Sequence, residues 1–270
     1  MRGASAGSLA AATERIQPLL SHPLSGAVGE ELFAVARLLD GSAALRRALT
    51  DPNAEAKSKA GLSNSLLAGK VSGTTVDLLG GMVRSRWSGA RELADACEVL
   101  GVQAVLGAAE QDGALENLED ELFRFGRIVA GDPQLRAALT NRSAPAQAKS
   151  ELVQTLLEGK ASAQTLALAR QAAAYPRGRR LEQVLEDMGR AVAERRDRAV
   201  ATVTTAIPLT QEQRSRLAAA LQRVYGRTMH LDVDLDPSIV GGLRIQVADE
   251  VIDASVVSRL ATAGRLLAGQ

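Results

Sequence analysis

Aromatic side chains are nearly missing from this sequence: one Trp, two Tyr and three Phe make up 2% of 270 residues. Proteins that bind single-stranded nucleic acid by stacking bases rely on such rings, so that class is disfavoured. A net charge of +1 removes the counterion-release term that drives non-specific DNA binding. A lone cysteine, Cys97, excludes a disulfide framework and any all-cysteine zinc site. Two histidines, His22 and His230, leave little for a histidine-rich metal centre. Long hydrophobic runs are missing too, so no membrane span is expected. Glu14 and Arg15 stand where a secretory leader would need its apolar stretch, so none is expected. What remains is a hydrophobic fraction of 46%, enough to bury a core and to exclude wholesale disorder. The length suggests roughly two or three units of about 100 residues.

The sequence contains a copy of part of itself. Glu31-Leu32-Phe33 returns as Glu121-Leu122-Phe123, Leu45 to Thr50 returns as Leu135 to Thr140, and Leu66 to Lys70 returns as Leu156 to Lys160. The offset is 90 throughout, without a gap, and 21 of the 50 positions from 30 to 79 are identical, which excludes chance. The repeat is physical as well as literal. Val28, Leu32, Val35 and Leu39 line one face of a helix, and Leu118, Leu122, Phe125 and Val129 keep the same face apolar. Leu62 and Leu66 pair with Leu152 and Leu156 on a following helix. Val76, Leu79 and Val83 pair with Leu166, Ala169 and Ala173 on the next. Gly41 and Gly131 are expected to end helices in a left-handed conformation. Each copy therefore reads as a small antiparallel helical bundle. Between them, Arg91 to Gln111 reads as a long helix or helix pair that closes one bundle and opens the next. Asp112-Gly113 punctuates before Leu115, and Arg180 to Arg198 reads as another long amphipathic helix.

From Ala199 the hydrophobic period shortens from 3.6 toward 2. Ala199 to Ile207 reads as a strand stopped by Pro208. Thr210 and Gln213 fit a capping box for a helix carrying Leu217, Leu221 and Val224 and ending at Gly226. Met229, Leu231, Val233 and Leu235 alternate with polar residues as a half-buried strand. Pro237 to Gly242 turns the chain into a strand of Leu243, Ile245 and Val247, and Asp253 or Ser255 can cap a final helix bearing Val256, Leu260, Ala263 and Leu267. The expected fold is mainly α with a small α/β C-terminal domain: two tandem antiparallel helical bundles followed by a short sheet with two helices. The expected divisions are 1–91, 92–198 and 199–270.

Val203 to Thr210, followed by a helix ending in Tyr225-Gly226, resembles the delta subunits of F-type ATP synthases, counterparts of the mitochondrial oligomycin-sensitivity-conferring protein. Asp236 to Leu243 is similar to that family's most specific stretch, and Val251 to Ser255 sits where the family caps its closing helix. Residues from about 92 to 270 cover the ordinary plan, with 1 to about 91 as an additional helical copy. This long form is similar to delta subunits of some high-GC bacteria, and the 27 Arg against 5 Lys agree with a GC-rich gene. The resemblance implies a non-catalytic stator subunit with no cofactor. It would grip the N-terminal segments of the alpha subunits and hold the b-subunit peripheral stalk, so that the catalytic head does not turn with the rotor. It also implies a peripheral position on the cytoplasmic face of the bacterial membrane, with no direct membrane insertion and no nucleic-acid partner. A helical interaction module of unrelated regulatory role is the alternative, and the two differ in which proteins associate with the chain.

Several local patterns imitate chemistry. Gly3-Ala4-Ser5-Ala6-Gly7 matches a nucleophile elbow but lacks the strand before it, so a frayed N-terminus is expected. Gly69-Lys70 and Gly159-Lys160 lack the upstream glycine and following hydroxyl of a phosphate loop. Helix ends are expected there. Asp232, Asp234 and Asp236 start like a calcium loop, but Leu243 occupies its twelfth position, so a solvated strand face is expected, with His230 on it. Arg177, Arg179, Arg180, Arg190, Arg195, Arg196 and Arg198 are interspersed with acids, and read either as a solvated helix or as a docking face for an acidic partner. Trp87 has Arg177 as its counterpart in the second copy. It either covers the end of the first bundle or anchors a partner. Cys97 reads as a buried small hydrophobe. Residues singled out for structural or partner-binding roles are Pro208, Gly241, Gly242, Asp253, Trp87 and Arg180.

Overall fold

The computed structural model describes residues 3–198, 200–225, 229–236, 241–247 and 250–253, and among the described residues it contains twelve helices and four strands. The chain divides into two compact units, Met1–Val192 and Ala193–Gln270.

The first unit is wholly helical: α1 (Ala4–Leu20), α2 (Ser25–Gly41), α3 (Ala43–Thr50), α4 (Ala56–Leu67), α5 (Gly73–Arg84) and α6 (Glu92–Gln111) lead into α7 (Leu115–Gly131), α8 (Pro133–Thr140), α9 (Ala146–Leu157), α10 (Ala163–Ala174) and α11 (Leu181–Arg198). The boundaries of α2 to α5 recur 90 residues later in α7 to α10, residue for residue. The reason lies in matched end signals. Ser42 and Asp132 cap α3 and α8 by accepting the N–H of Leu45 and Leu135. Ser72 and Ser162 cap α5 and α10 by accepting the N–H of Thr75 and Thr165. Gly69 and Gly159, after α4 and α9, carry φ of 74° and 71°, where a side chain would be strained. Gly41 and Gly131 correct the expectation: neither is left-handed. Each stays helical because the next residue, Ser42 or Asp132, turns to an extended conformation and caps another helix at once.

The N-terminal stretch is also not frayed. α1 starts at Ala4, Ser5 is fully buried, and its hydroxyl donates to Glu92 Oε2 while accepting the N–H of Ser88. Ser8 likewise donates to the Arg86 carbonyl. These bonds fix α1 to the start of α6.

Two hydrophobic cores meet inside α6. Leu93, Ala94, Ala96, Cys97, Leu100 and Ala104 belong to the first, with Ile16, Leu32, Leu39, Leu79 and Met82. Val105, Leu106 and Ala109 belong to the second, with Leu118, Phe125, Leu168, Val184 and Met188. A helix that serves two cores buries apolar residues over much of its circumference, which is why α6 lacks the clean stripe of its neighbours. Its glycines serve close approach. A Cβ on Gly29 of α2 would stand 2.9 Å from the Gly101 carbonyl, and one on Gly101 would stand 2.7 Å from the Phe33 ring.

In the second unit, β1 (Val200–Thr205) leads through α12 (Gln211–Tyr225) to β2 (His230–Leu235), then β3 (Leu243–Val247) and β4 (Glu250–Asp253), in the sheet order β2-β1-β3-β4. β1 and β2 are parallel, as a strand-helix-strand crossover requires, and the other pairings are antiparallel. The capping box forms as expected: the Thr210 N–H donates to Gln213 Oε1, and the Gln213 N–H donates to Thr210 Oγ1. Ala201, Val203, Leu221, Met229, Ile245 and Val247 make the core. Val224 and Leu235, expected on apolar faces, are 71% and 56% exposed. β4 is a strand that periodicity missed. Gly226, the turn residues 237–240 and the expected final helix lie outside the described residues.

Candidate partner-binding surfaces

Three features hold the helical unit together, one within each copy and two between the copies. The first is a repeated carboxylate clamp. Glu31 on α2 accepts the N–H (2.9 Å) and hydroxyl (2.6 Å) of Ser72 and the Thr75 hydroxyl, at the start of α5. Glu121 on α7 accepts the same three groups from Ser162 and Thr165 at the start of α10. An anion at a helix N-terminus also meets the positive end of the helix dipole. Burial pushes both carboxyls up, but the hydrogen bonds outweigh it and hold each below its ordinary value.

The second feature joins the copies. Arg177, in the loop between α10 and α11, has a side chain only 7% exposed. It meets Asp40 of α2 and, at 2.7 and 3.2 Å, Asp95 and Glu98 of α6. Arg179 adds a second contact to Glu98 at 2.7 Å. Burial alone would lower the Arg177 pKa. The hydrogen bonds that Arg177 donates to Asp40 and the charges of Asp95, Asp40 and Glu98 reverse that and raise it. Arg177 is also the non-glycine residue with positive φ (54°) among the described residues.

Trp87, its counterpart, turns inward instead. It is 8% exposed and donates its indole N–H to the Met82 carbonyl, which closes the end of the first bundle. The arginine run thus divides: Arg177 and Arg179 are absorbed by intrachain acids, whereas Arg180 is exposed just before α11 and takes no part in that ring.

The third feature is polar and aromatic. Arg37 of α2 donates to Gln171 Oε1 of α10 and lies 4.8 Å from the Tyr175 ring centre. Beside them Phe33 packs into the second core and is 2% exposed. Together Phe33, Arg37, Asp40 and Arg177 hold the first copy to the second.

In the C-terminal unit, Pro208 is exposed between β1 and α12. Gly241 and Gly242 have φ of 88° and 85°, so both positions require glycine where the chain enters β3. Asp253 is the last residue of β4 and pairs in register with Arg244. The side chains of Asp253 and His230 lie outside the described set. Asp232 and Asp234 are exposed on β2, and no group of acids, histidines and cysteines suited to a metal occurs among the described residues. Leu209, Leu217 and Leu243 floor a surface depression of about 570 Å³ rimmed by Arg216 and Arg223.

Among the described residues no helix is long and apolar enough to cross a membrane. A family model described as the ATP synthase delta (OSCP) subunit matches residues 102–267. The chain is 52% identical over 270 residues to the ATP synthase subunit delta of Streptomyces coelicolor, covering 99% of this chain and 98% of that protein. It is 48% identical over 269 residues to that of Thermobifida fusca and 48% identical over 271 residues to that of Beutenbergia cavernae, covering all of both chains in each case. The family model begins within α6, yet the relatives match the full length, first helical copy included.

Proposed function

The chain belongs to the ATP synthase delta (OSCP) subunit family, and on that premise we propose that it is the stator joint of a proton-translocating F-type ATP synthase. In this role it performs no chemistry. The helical unit grips the N-terminal segments of the alpha subunits on the catalytic head, and the C-terminal unit holds the end of the b-subunit stalk. The complex would place it peripherally on the cytoplasmic face of the bacterial membrane. The observation that carries the reading is full-length identity near 50% to subunits of that name, which covers both helical copies and the sheet unit.

The construction supports it. A joint under torque fails at its weakest internal seam, and here the seam between the copies is bridged by a helix common to both cores and by a buried arginine held by three acids. We assign residues 1–91, 92–198 and 199–270 as three functional segments, the first two acting as one body toward the head. The test is a strain lacking the chain, complemented by the full-length protein. Membranes from the deletion should lose their soluble head on washing and should no longer couple ATP hydrolysis to proton pumping. A head that stays attached and coupled without the chain would refute the proposal.

A further inference from the structure

The surface that joins the first copy to the second is presented again on the second copy, between α7 and α11, where it lies open. In the first copy that surface consists of Glu30, Phe33 and Arg37, spaced along one face of α2, with the Phe33 ring lying on Gly101 of α6. Each has its counterpart 90 residues on: Asp120, Phe123 and Arg127 on α7. Aligning the buried faces of α6 and α11 at an offset of 88 pairs Leu93 with Leu181, Leu100 with Met188 and Gly101 with Gly189. All four counterparts, Asp120, Phe123, Arg127 and Gly189, line one groove of about 500 Å³ between α7 and α11. Yet the environments are opposite. Phe33 is 2% exposed and Phe123 is 66% exposed. The Phe33 ring covers Gly101, whereas nothing approaches a Cβ built on Gly189 within 4 Å.

We propose that the α7–α11 groove is a docking site for an amphipathic helix of another subunit, apolar on the docked face and carrying Lys or Arg along its flanks. Leu122, Phe123, Leu181 and Leu185 supply the apolar floor, and helical walls favour a partner with anchors at i, i+3 or i+4, and i+7. The rim carries Glu119, Asp120, Glu182 and Glu186 against Arg127, so it favours a basic flank. Equivalence through the 90-residue repeat to the surface that forms the seam argues that this chemistry is already used for docking in the same chain.

A second copy of this chain is a poor occupant. The face that receives α2 is built from Ser150, Arg170, Gln171 and Tyr175, and its own first copy already covers it. The corresponding positions in the first copy are Ala60, Gly80, Gly81 and Ser85, which lack the amide and the ring that Arg37 uses. The Arg15 guanidinium also lies against Gly81. Head-to-tail stacking is therefore blocked, and the exposed aromatic is left for a different polypeptide.

The site rests on the stator reading only for its partner's origin, and two experiments separate the two ideas. A photo-crosslinking phenylalanine analogue replaces Phe123 in the assembled ATP synthase. The expected product joins this chain to a helical, Lys- or Arg-flanked segment of another subunit. Crosslinking to a second copy of the chain, or none while the chain is present in the complex, overturns the docking proposal. Absence of the chain from the complex overturns the stator reading instead. The groove is then judged by the second experiment, which titrates the purified full chain with a 20-residue amphipathic Leu/Lys helix. Phe123→Ala and the groove-filling Gly126→Trp should each weaken binding at least tenfold, while the thermal midpoint stays within about 2 °C of the parent. Equal affinity for the parent and both variants overturns the proposal.

Discussion

Replacing Arg177 with Ala should loosen the seam between the helical copies. The guanidinium is nearly enclosed and is the common partner of Asp40, Asp95 and Glu98. Removing one partner of a buried ion pair typically costs about 3–5 kcal/mol, because the remaining charge stays desolvated. Here the cost is smaller. Asp40 and Asp95 are 28% and 44% exposed and can rehydrate, and Glu98 keeps Arg179. A loss of about 2–3 kcal/mol follows. For a unit of this size that lowers the thermal midpoint by roughly 5–10 °C. The assay is thermal unfolding of the full chain followed by helical circular dichroism, with the same substitution repeated in a chain carrying Asp40→Asn, Asp95→Asn and Glu98→Gln. In that background the cost should fall below about 1 kcal/mol, since the acids no longer need a counter-charge. An equal loss in both backgrounds would refute the account and assign Arg177 a packing role alone.

Glu31→Gln and Glu121→Gln should each destabilise the helical unit by about 1 kcal/mol, measured by urea unfolding at pH 7. Because the folded carboxyls titrate below 4.5, their contribution is fully present above that pH and is lost as pH falls through the lowered folded value. The difference between parent and double variant should therefore narrow on acidification below 4.5, and a widening gap would contradict the clamp. Gly29→Ala should cost about 1–3 kcal/mol, because its Cβ would meet the Gly101 carbonyl and Val105 at under 3.0 Å. A neutral or stabilising result in the same measurement would mean that α2 and α6 can separate without loss.

Much of this architecture could be read from residue identity. The 90-residue offset located three helices of each copy, because apolar faces are local signals that repeat with the sequence. The strand β1, the capping box at Thr210 and the alternation in β3 were legible for the same reason. α6 was legible as a long helix or helix pair, but its division between two cores was not, since burial over much of its circumference blurs the stripe from which orientation is read. β4 was missed because it is four residues long and both Val251 and Ile252 are exposed. The proposed docking groove was the least legible. Glu31-Leu32-Phe33 and Glu121-Leu122-Phe123 are the same words, yet one phenylalanine is buried and the other faces water. Only the tertiary neighbour decides. The signal for Arg177 was present in outline, as a charged residue standing where the first copy has Trp87, but its partner Asp40 lies 137 residues away in the chain.

The helix common to both cores has a consequence for how such a duplication can persist. A chain trimmed to its last 179 residues would begin with α6 and would carry Leu93, Ala94, Ala96, Cys97, Leu100 and Ala104 into water as a bare oily seam. Once the party wall was built, neither household could be demolished without opening the other to the weather, so the longer form resists reversion by simple shortening of its gene.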